Sequence, residues 1–201
     1  MKGGVKGELP PPEAAPWTVS WSGEQGFRFV PSHEVPGLLE LDQKSEPGAG
    51  QPLFTFMHAV RHREAMAGQL CHVCGKPTSR EDRYIFPTAS GGLVEMGDGT
   101  RQYGCNVPAM HRACADRARR TCPHLQKIDE PPLKCGLDSG RVIPRTDITP
   151  GLEPMAREVP PGAQVVWSRY RLYGPAFTSK VIEAREKWEA AVKARRSGRG
   201  R

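Results

Sequence analysis

The chain has no apolar run long enough to cross a membrane, and it has few apolar residues from which to build a core. No stretch approaches the roughly 18 consecutive apolar residues of a transmembrane helix, and residues 1–16 hold no apolar run resembling a signal peptide. We therefore expect a cytoplasmic protein with no membrane partner. Hydrophobic residues make up only 37% of the sequence, whereas 22 Gly and 20 Pro account for about a fifth of the 201 residues. A chain with a small hydrophobic core and many turns usually needs an additional cross-link, either a disulfide or a bound metal.

The six cysteines favour the metal. A chain that is not secreted keeps its thiols reduced, and there a C-x-x-C pair is more often a metal or redox site than a disulfide. The run "CHVCG" places Cys71 and Cys74 three residues apart, and "HRAC" does the same for His111 and Cys114. Zinc prefers four tetrahedral ligands of sulfur or imidazole. We predict that these four side chains bind one structural Zn²⁺.

The order of the segments between the two pairs strengthens this prediction. A C-x-x-C-G turn is followed by two short runs around Gly97, Asp98 and Gly99, which are typical of a β-hairpin, and then by a helix that contains H-x-x-C. Turn, hairpin and helix occur in this order in the treble-clef zinc finger. The sequence therefore predicts an α+β fold, in which a small zinc-stabilised, treble-clef-like module is joined to an N-terminal β-hairpin and a basic C-terminal helix.

Several other residues are candidates to replace or extend this ligand set. Cys105 leaves the hairpin just before the helix and is the rival of His111 for one position. Cys122, with His124 and Cys135, could form a second site, but these residues lack paired spacing, so we expect buried structural cysteines instead. His58 and His62 are four residues apart, and we expect ordinary surface or interface histidines there. The remaining alternative is that the cysteines are small, reduced core residues.

Composition divides the chain into five segments. We predict a disordered N-terminus (1–16), a β-hairpin region with a linker (17–52), the zinc module (53–126), a Pro- and Gly-rich wrapping loop (127–164), and a strand followed by a basic amphipathic helix (165–201). No internal repeat is visible, and a length of 201 residues is enough for one ordinary domain or two small ones.

Alternation of apolar and polar residues predicts the strands. Trp, Val and Phe residues alternate over 17–29 around a polar turn that contains glycine, which indicates a hairpin. The run "LLELD" adds a short strand, and "QKSEPGAGQP" is typical of a linker. The run "QVVWSRYRLY" also alternates, and we expect it to form a strand that pairs back to the N-terminal hairpin.

Three segments have the features of helices. The first covers residues 53–70, and the second starts near Pro108, which suits a first helical turn, and must end before Pro123. The third is the last segment of the chain, with Thr178 or Ser179 as its expected cap. Its apolar stripe consists of Val181, Ala184, Trp188 and Val192.

Positive charge is concentrated at the C-terminus. The net charge is +7, and the segment from Ser168 onward holds ten Lys and Arg residues against three acids, so the rest of the chain is balanced. Such tails meet nucleic acid or other polyanions, or keep a frayed terminus soluble. The aromatic residues among this charge either stack on bases or pack in the core, and we favour the core for the last of Tyr170, Tyr173, Phe177 and Trp188. The predicted nucleic-acid contacts are Arg112, Arg117, Arg119, Arg120, Arg169, Arg171, Lys193, Arg195 and Arg196.

The stretch "LCHVCGKP … HRACADRARRTCPHL" resembles a group of zinc-binding proteins from actinobacteria and their phages. These proteins have a CxVCG pair and then an HxxC helix that ends in CPHL. The likeness spans roughly residues 53–126, including "PLFTFMHAVRHREAM", and does not cover the flanks. It implies that Cys71, Cys74, His111 and Cys114 are zinc ligands, and it implies no established activity.

Three enzymatic interpretations fit the sequence poorly. An HNH-type nuclease needs a histidine base on the hairpin, but residues 93–103 contain none, and four protein ligands leave zinc no open position. A zinc deaminase needs P-C-x-x-C, but a leucine precedes the cysteine pair. A thioredoxin-like pair would leave His111 and Cys114 unexplained. We predict a non-catalytic protein that binds nucleic acid without sequence preference, with a zinc-stapled protein–protein interaction module as the alternative.

Overall fold

The structure is a computed structural model that describes residues 15–127, 130–136, 138, 140–148 and 152–198, with side chains described as far as residue 194. Within these ranges the fold is mixed α+β, with eleven strands in four small sheets and six helices. No helix in this part of the chain has both the length and the apolar content to cross a membrane. Most of the N-terminus that we predict to be disordered, residues 1–14, lies outside the described ranges.

The first four strands are β1 (Val19–Trp21), β2 (Phe27–Pro31), β3 (Leu39–Gln43) and β4 (Pro52–Met57). Strand β2 pairs antiparallel with β3, which contains the predicted "LLELD" strand, and β1 pairs antiparallel with β4. The predicted hairpin over 17–29 is therefore wrong in its pairing, although both of its strands exist. Between them the buried Glu24 carboxylate accepts hydrogen bonds from the Trp21 amide and the Arg61 guanidinium, which draws the turn into the protein interior.

The predicted helix over 53–70 is wrong in its first part, because the chain there forms β4 and then the shorter helix α1 (Ala59–Gly68). Phe54 and Phe56 alternate with threonine, which suits a pleated strand, and the backbone pairs with the fully buried β1. The helix begins after His58, whose ring nitrogen Nδ1 accepts a hydrogen bond from the Arg61 amide at 3.3 Å. Pairing of β4 with β1 thus overrides the helical pattern over residues 53–57.

The middle elements are β5 (Tyr84–Ile85), α2 (Pro87–Ser90), β6 (Gly91–Glu95), β7 (Arg101–Cys105), α3 (Arg112–Thr121) and α4 (Pro123–Gln126). The hairpin predicted around residues 97–99 is confirmed, since β6 and β7 pair antiparallel on either side of them. Helix α3 begins later than Pro108, because Met110 exchanges two backbone hydrogen bonds of 2.9 Å with Tyr84 and is held extended. It ends before Pro123, as predicted.

The last elements are β8 (Leu133–Lys134), β9 (Arg141–Arg145), α5 (Glu153–Ala156), β10 (Val165–Val166), β11 (Ser168–Leu172) and α6 (Pro175–Gly198). The segment 127–164 is therefore more than a loop, and β9 forms one edge of a four-stranded sheet with the order β6-β7-β11-β9. The predicted strand "QVVWSRYRLY" divides at Trp167. Strand β10 pairs in parallel with β3, whereas β11 pairs with β7 and β9.

Helix α6 packs on the four-stranded sheet and begins before the predicted cap. Thr178 instead lies inside the helix, where its hydroxyl accepts a hydrogen bond from the Tyr103 amide at 2.9 Å and donates one to the Gly174 carbonyl at 3.0 Å. Val181 of the predicted stripe is buried and Val192 is half-buried. The core between sheet and helix consists of Ile85, Tyr103, Cys105, Cys135, Tyr173, Phe177 and Val181.

Candidate metal centre

The two predicted ligand pairs come together at the start of α3. The ligand atoms of Cys71, Cys74, His111 and Cys114 all lie within 4.8 Å of one another. The Cys74 sulfur is 3.4 Å and the Cys114 sulfur 3.9 Å from Nδ1 of His111. Zinc-ligand bonds of about 2.0–2.3 Å at tetrahedral angles place ligand atoms roughly 3.3–3.8 Å apart, so the spacing suits one metal ion.

The other imidazole nitrogen shows which atom of His111 faces the cluster. Nε2 lies 3.1 Å from the Pro77 carbonyl oxygen, and a proton on Nε2 donates to that carbonyl. Nδ1 is then the unprotonated nitrogen that a metal can bind, and a backbone partner of this kind fixes both tautomer and ring orientation. His111 is the N-cap of α3, so the predicted i, i+3 pair spans the first turn of the helix.

The turn that carries Cys71 and Cys74 is closed by backbone hydrogen bonds. The Gly75 amide donates to the Cys71 carbonyl at 2.9 Å, and the Cys71 amide donates to the Lys76 carbonyl at 2.8 Å. Gly75 has φ +71°, in the left-handed region that glycine adopts without strain. A Cβ at this position would lie 2.7 Å from the Trp17 ring, so the turn depends on glycine both for its backbone and for its contact with Trp17.

We expect Gly75→Ala to destabilise the protein by more than the backbone cost alone, which is about 1–2 kcal/mol. Gly99→Ala is the matched control, because Gly99 has φ +78° and its Cβ would meet no atom within 4 Å. Chemical denaturation of both variants gives the comparison. Equal losses of unfolding free energy would contradict a packing role for the contact between Gly75 and Trp17.

The three thiols need positive charge before all of them can ionise. Burial raises the pKa of Cys71, and burial together with the nearby Cys71 raises the pKa of Cys114 to about 12. Burial also opposes ionisation of Cys74, but hydrogen bonds from the Lys76 amide and neighbouring side chains outweigh it and lower the pKa of that thiol. A divalent cation between the sulfurs would favour the thiolate form of all three.

The ligand-bearing turn is tied to the N-terminal strands. The Trp17 amide donates to the Val73 carbonyl at 3.0 Å, and the Thr18 amide donates to the His72 carbonyl at 3.3 Å. The Arg61 guanidinium in turn donates to the Trp17 carbonyl at 2.7 Å. The candidate metal centre is therefore joined through residues 17 and 18 to the buried Arg61 of α1.

The other cysteines do not join this centre. Cys105, the rival ligand, is buried in the core, where its thiol donates to the Val107 carbonyl at 3.0 Å and burial raises its pKa to about 12. Cys135 lies in the same core cluster. Among the described residues the four predicted ligands are the one group with metal-site geometry, so Cys122, His124 and Cys135 do not form a second site.

His58, the N-cap of α1, and His62 within α1 are both buried, which contradicts the prediction of ordinary surface or interface histidines. His58 is fully buried, and its Nε2 lies 2.9 Å from the Lys44 carbonyl oxygen. Nε2 of His62 lies 2.6 Å from the Asn106 carbonyl oxygen, and burial lowers the pKa of this imidazole to about 4. Both rings therefore bind backbone carbonyls and have a structural role.

The predicted nucleic-acid residues on α3 lie at or near the surface. The exposed residues are Arg112, Arg117 and Arg120, whereas Arg119 is half-buried. The Arg112 guanidinium binds the Asp116 carboxylate at 2.9 Å and lies 5.4 Å from the centre of the Tyr84 ring. Lys193 on α6 is exposed, and the side chains of Arg195 and Arg196 lie outside the described ones.

Two of the predicted contacts, Arg169 and Arg171, belong to the interior instead. Arg169 binds the Glu40 carboxylate at 2.7 Å and is 3% exposed. Arg171 is 7% exposed, and its guanidinium donates to the Met66 carbonyl. Both residues are in β11 and, being two positions apart, lie on the same side of the sheet. A count of the basic residues in the sequence therefore overstates the positive charge available at the surface. Tyr173 and Phe177 are also core residues.

The largest feature that sequence reasoning missed is a buried ion pair. Glu24 and Arg61 are both almost completely buried, and the two guanidinium nitrogens of Arg61 lie 2.6 and 2.8 Å from the two carboxylate oxygens. The partners are 37 residues apart, so no local spacing links them. The only local signal near Glu24 is the polar, glycine-containing stretch around it, and that stretch predicts a hairpin turn and not a buried charge.

Comparison of the chain with protein-family models, with curated proteins and with solved structures gave no match. The likeness to zinc modules of actinobacteria and their phages therefore stays an expectation that rests on the motif.

Proposed function

We propose that Cys71, Cys74, His111 and Cys114 bind one structural Zn²⁺ and that this site organises a treble-clef-like module. Three sulfurs and one imidazole nitrogen are a donor set that tetrahedral zinc takes in structural sites. The spacing of the four ligand atoms supports the assignment. Four protein ligands leave no position for water or substrate, so we assign the ion no catalytic role.

We further propose that the surface around α3 binds nucleic acid without preference for sequence. The observation that carries this proposal is the exposure of Arg112, Arg117 and Arg120 on the helix that begins at the metal centre. Lys76 and Arg80, which are also exposed, follow the first ligand pair. The one acid of α3, Asp116, is already bound to Arg112. Guanidinium and ammonium groups at the surface bind phosphates, which carry no base identity.

A salt series with single substitutions tests this surface. We expect Arg117→Gln and Arg120→Gln each to reduce the slope of log affinity against log salt by about 0.7–0.9, which is the contribution of one phosphate contact. Fluorescence anisotropy with a labelled oligonucleotide measures the slope. Arg157→Gln is the matched control, because Arg157 is exposed beside α5 and carries the same charge.

Two results would contradict the α3 surface as a nucleic-acid site. One is an equal loss of affinity in the Arg157→Gln control, which would indicate a general effect of net charge. The other is binding that does not weaken as salt rises. Salt-independent binding to a protein would instead support the alternative function, a zinc-stapled protein–protein interaction module.

A further inference from the structure

The four-stranded sheet has one covered face. Tyr103 of β7 packs against Phe177 of α6, with ring centres 6.0 Å apart, and Arg171 of β11 bonds to the Met66 carbonyl of α1. Tyr103 and Arg171 lie on the same side of the sheet, because Cys105 is paired with Arg171 and is two residues from Tyr103. Both helices that these contacts identify, α1 and α6, therefore cover the same face.

The opposite face carries a different set of side chains. Pairing across the strands places Gly92, Gly104, Leu172 and Arg141 in one row. Val94 and Gln102 are paired on one side of this row, and Tyr170 and Ile143 are paired on the other. A Cβ built on Gly104 would lie 2.8 Å from Val94, 3.2 Å from Leu172 and 3.8 Å from Tyr170, so these three side chains share one side of the sheet. A Cβ on Gly92 would meet nothing within 4 Å, which indicates open space at that edge. Val94, Gln102, Tyr170 and Ile143 are all half-buried, whereas Leu172 in the middle row is 3% exposed. The accessible part of this face is therefore its β9 side, where Arg141 is exposed.

The β9 side of this face, which we call the β9 face, carries two arginines and one aromatic ring. Arg141 is exposed at one end of β9, and Arg145 at the other end places its guanidinium carbon 5.4 Å from the centre of the Tyr170 ring. The Arg145 side chain is 38% exposed, so the layered pair of guanidinium and ring still has an accessible surface. Asp147, bound to Arg145 at 2.7 Å, lies beyond the end of the strand. Glu95 is two residues from Leu93, which is paired with Tyr103, so Glu95 lies on the covered side of the sheet.

We propose that an unpaired nucleic-acid strand binds across this face, with a base stacked on the Tyr170–Arg145 pair and a phosphate on Arg141. Aromatic rings and guanidinium planes both stack on bases, and a base exposes its flat surface only where it is unpaired. A face bordered by Arg141 and Arg145 is complementary to a polyanion, and that charge favours nucleic acid over an apolar protein segment. The inference rests on the proposed function and adds to it the class of ligand, single-stranded nucleic acid.

The test compares Tyr170→Leu with Tyr170→Phe in the full chain. The probes are a labelled oligothymidylate and the duplex of the same oligonucleotide with oligoadenylate. We expect the leucine variant to lose roughly 5- to 150-fold in affinity for the single strand, as one stacked base is worth ~1–3 kcal/mol, and to keep its affinity for the duplex. The phenylalanine variant should retain wild-type affinity, because the ring remains.

A second substitution keeps the test independent of the fold of the Tyr170 variants. Arg141→Glu changes an exposed side chain at the same face, and we expect it to weaken single-strand binding more than Arg157→Glu does. Unchanged single-strand affinity in Tyr170→Leu and Arg141→Glu, together with a loss in Arg117→Gln, would overturn this inference and leave the proposed function standing. Equal losses for strand and duplex would overturn it as well.

If the wild-type chain bound neither the single strand nor the duplex, both the α3 nucleic-acid surface and the single-strand site would be contradicted. A shift in sedimentation that depends on protein concentration and disappears in Tyr170→Leu, with no oligonucleotide binding, would instead assign the β9 face to a second copy of the chain.

Discussion

Cys74→Ser is expected to give a protein that lacks its metal and has lost the fold of the central module. A serine hydroxyl does not ionise near neutral pH and so cannot replace a thiolate ligand. Structural zinc contributes about 10–16 kcal/mol of apparent folding energy in small zinc-binding modules, comparable with the ~5–15 kcal/mol total stability of a typical domain. Metal analysis, circular dichroism during thermal unfolding and limited proteolysis measure the outcome.

Cys122→Ser provides the matched control for this prediction. Cys122 is a half-buried cysteine at the end of α3, and it lies outside the cluster of four ligands. We expect this variant to keep its metal and to unfold like the wild type to within about 1 kcal/mol. Full metal content and unchanged melting in Cys74→Ser would contradict a structural metal at this position.

The effect of metal loss should extend beyond the ligand-bearing turn. Trp17 and Thr18 bond to the backbone of that turn, and Trp17 packs on Gly75. Because the Trp17 carbonyl is also a partner of Arg61, loosening of the turn removes a hydrogen bond from the buried ion pair. Strand β1 and the start of α1 should therefore lose protection from hydrogen exchange together with the metal centre.

Glu24→Gln is expected to destabilise the protein by about 3–5 kcal/mol, because it leaves the buried Arg61 charge without its counter-ion. Burial opposes ionisation of Glu24, but hydrogen bonds from Arg61 and from the Trp21 and Glu46 amides outweigh it and lower the pKa of the carboxyl. A lowered folded-state pKa means that the stabilisation is present above the ordinary value of 4.5 and is lost as the pH falls. Denaturant titrations at neutral and acidic pH measure both effects.

The exposed pair of Arg28 and Asp42 is the control for the buried one. Its atoms lie 2.7 Å apart, but the Arg28 side chain is 76% exposed. Ion pairs of this kind contribute about 0–1 kcal/mol, so Asp42→Asn should have a small effect. If Glu24→Gln cost no more than Asp42→Asn, the ion pair between Glu24 and Arg61 would not be a main support of the fold.

The candidate metal centre was predictable because its four residues are spaced in local pairs. A three-residue interval in a turn and another at the start of a helix each bring two ligands together by short-range geometry. The glycine-rich hairpin between the pairs was predictable for the same reason. The sequence left Cys105 open as a rival to His111, and only the fold decides between them, because Cys105 points into the core formed by α6.

The sheet pairings and the buried charges were not predictable from local patterns. Strand β1 pairs with β4 across the length of two other strands, and an alternating pattern does not identify its partner. Arg169 and Arg171 were expected at the surface because arginine usually lies there, but each has a buried acceptor contributed by a distant segment. Positions of this kind depend on long-range contacts that a sequence window does not contain.

X-ray absorption at the zinc edge, with total metal per chain, tests the central claim most directly. We expect the purified full chain to hold one zinc ion bound by three sulfurs at about 2.3 Å and one nitrogen at about 2.0 Å. In His111→Ala the nitrogen contribution and most of the zinc should be lost. Retention of a full zinc complement with unchanged coordination in His111→Ala, or a wild-type chain that binds no metal, would contradict the account.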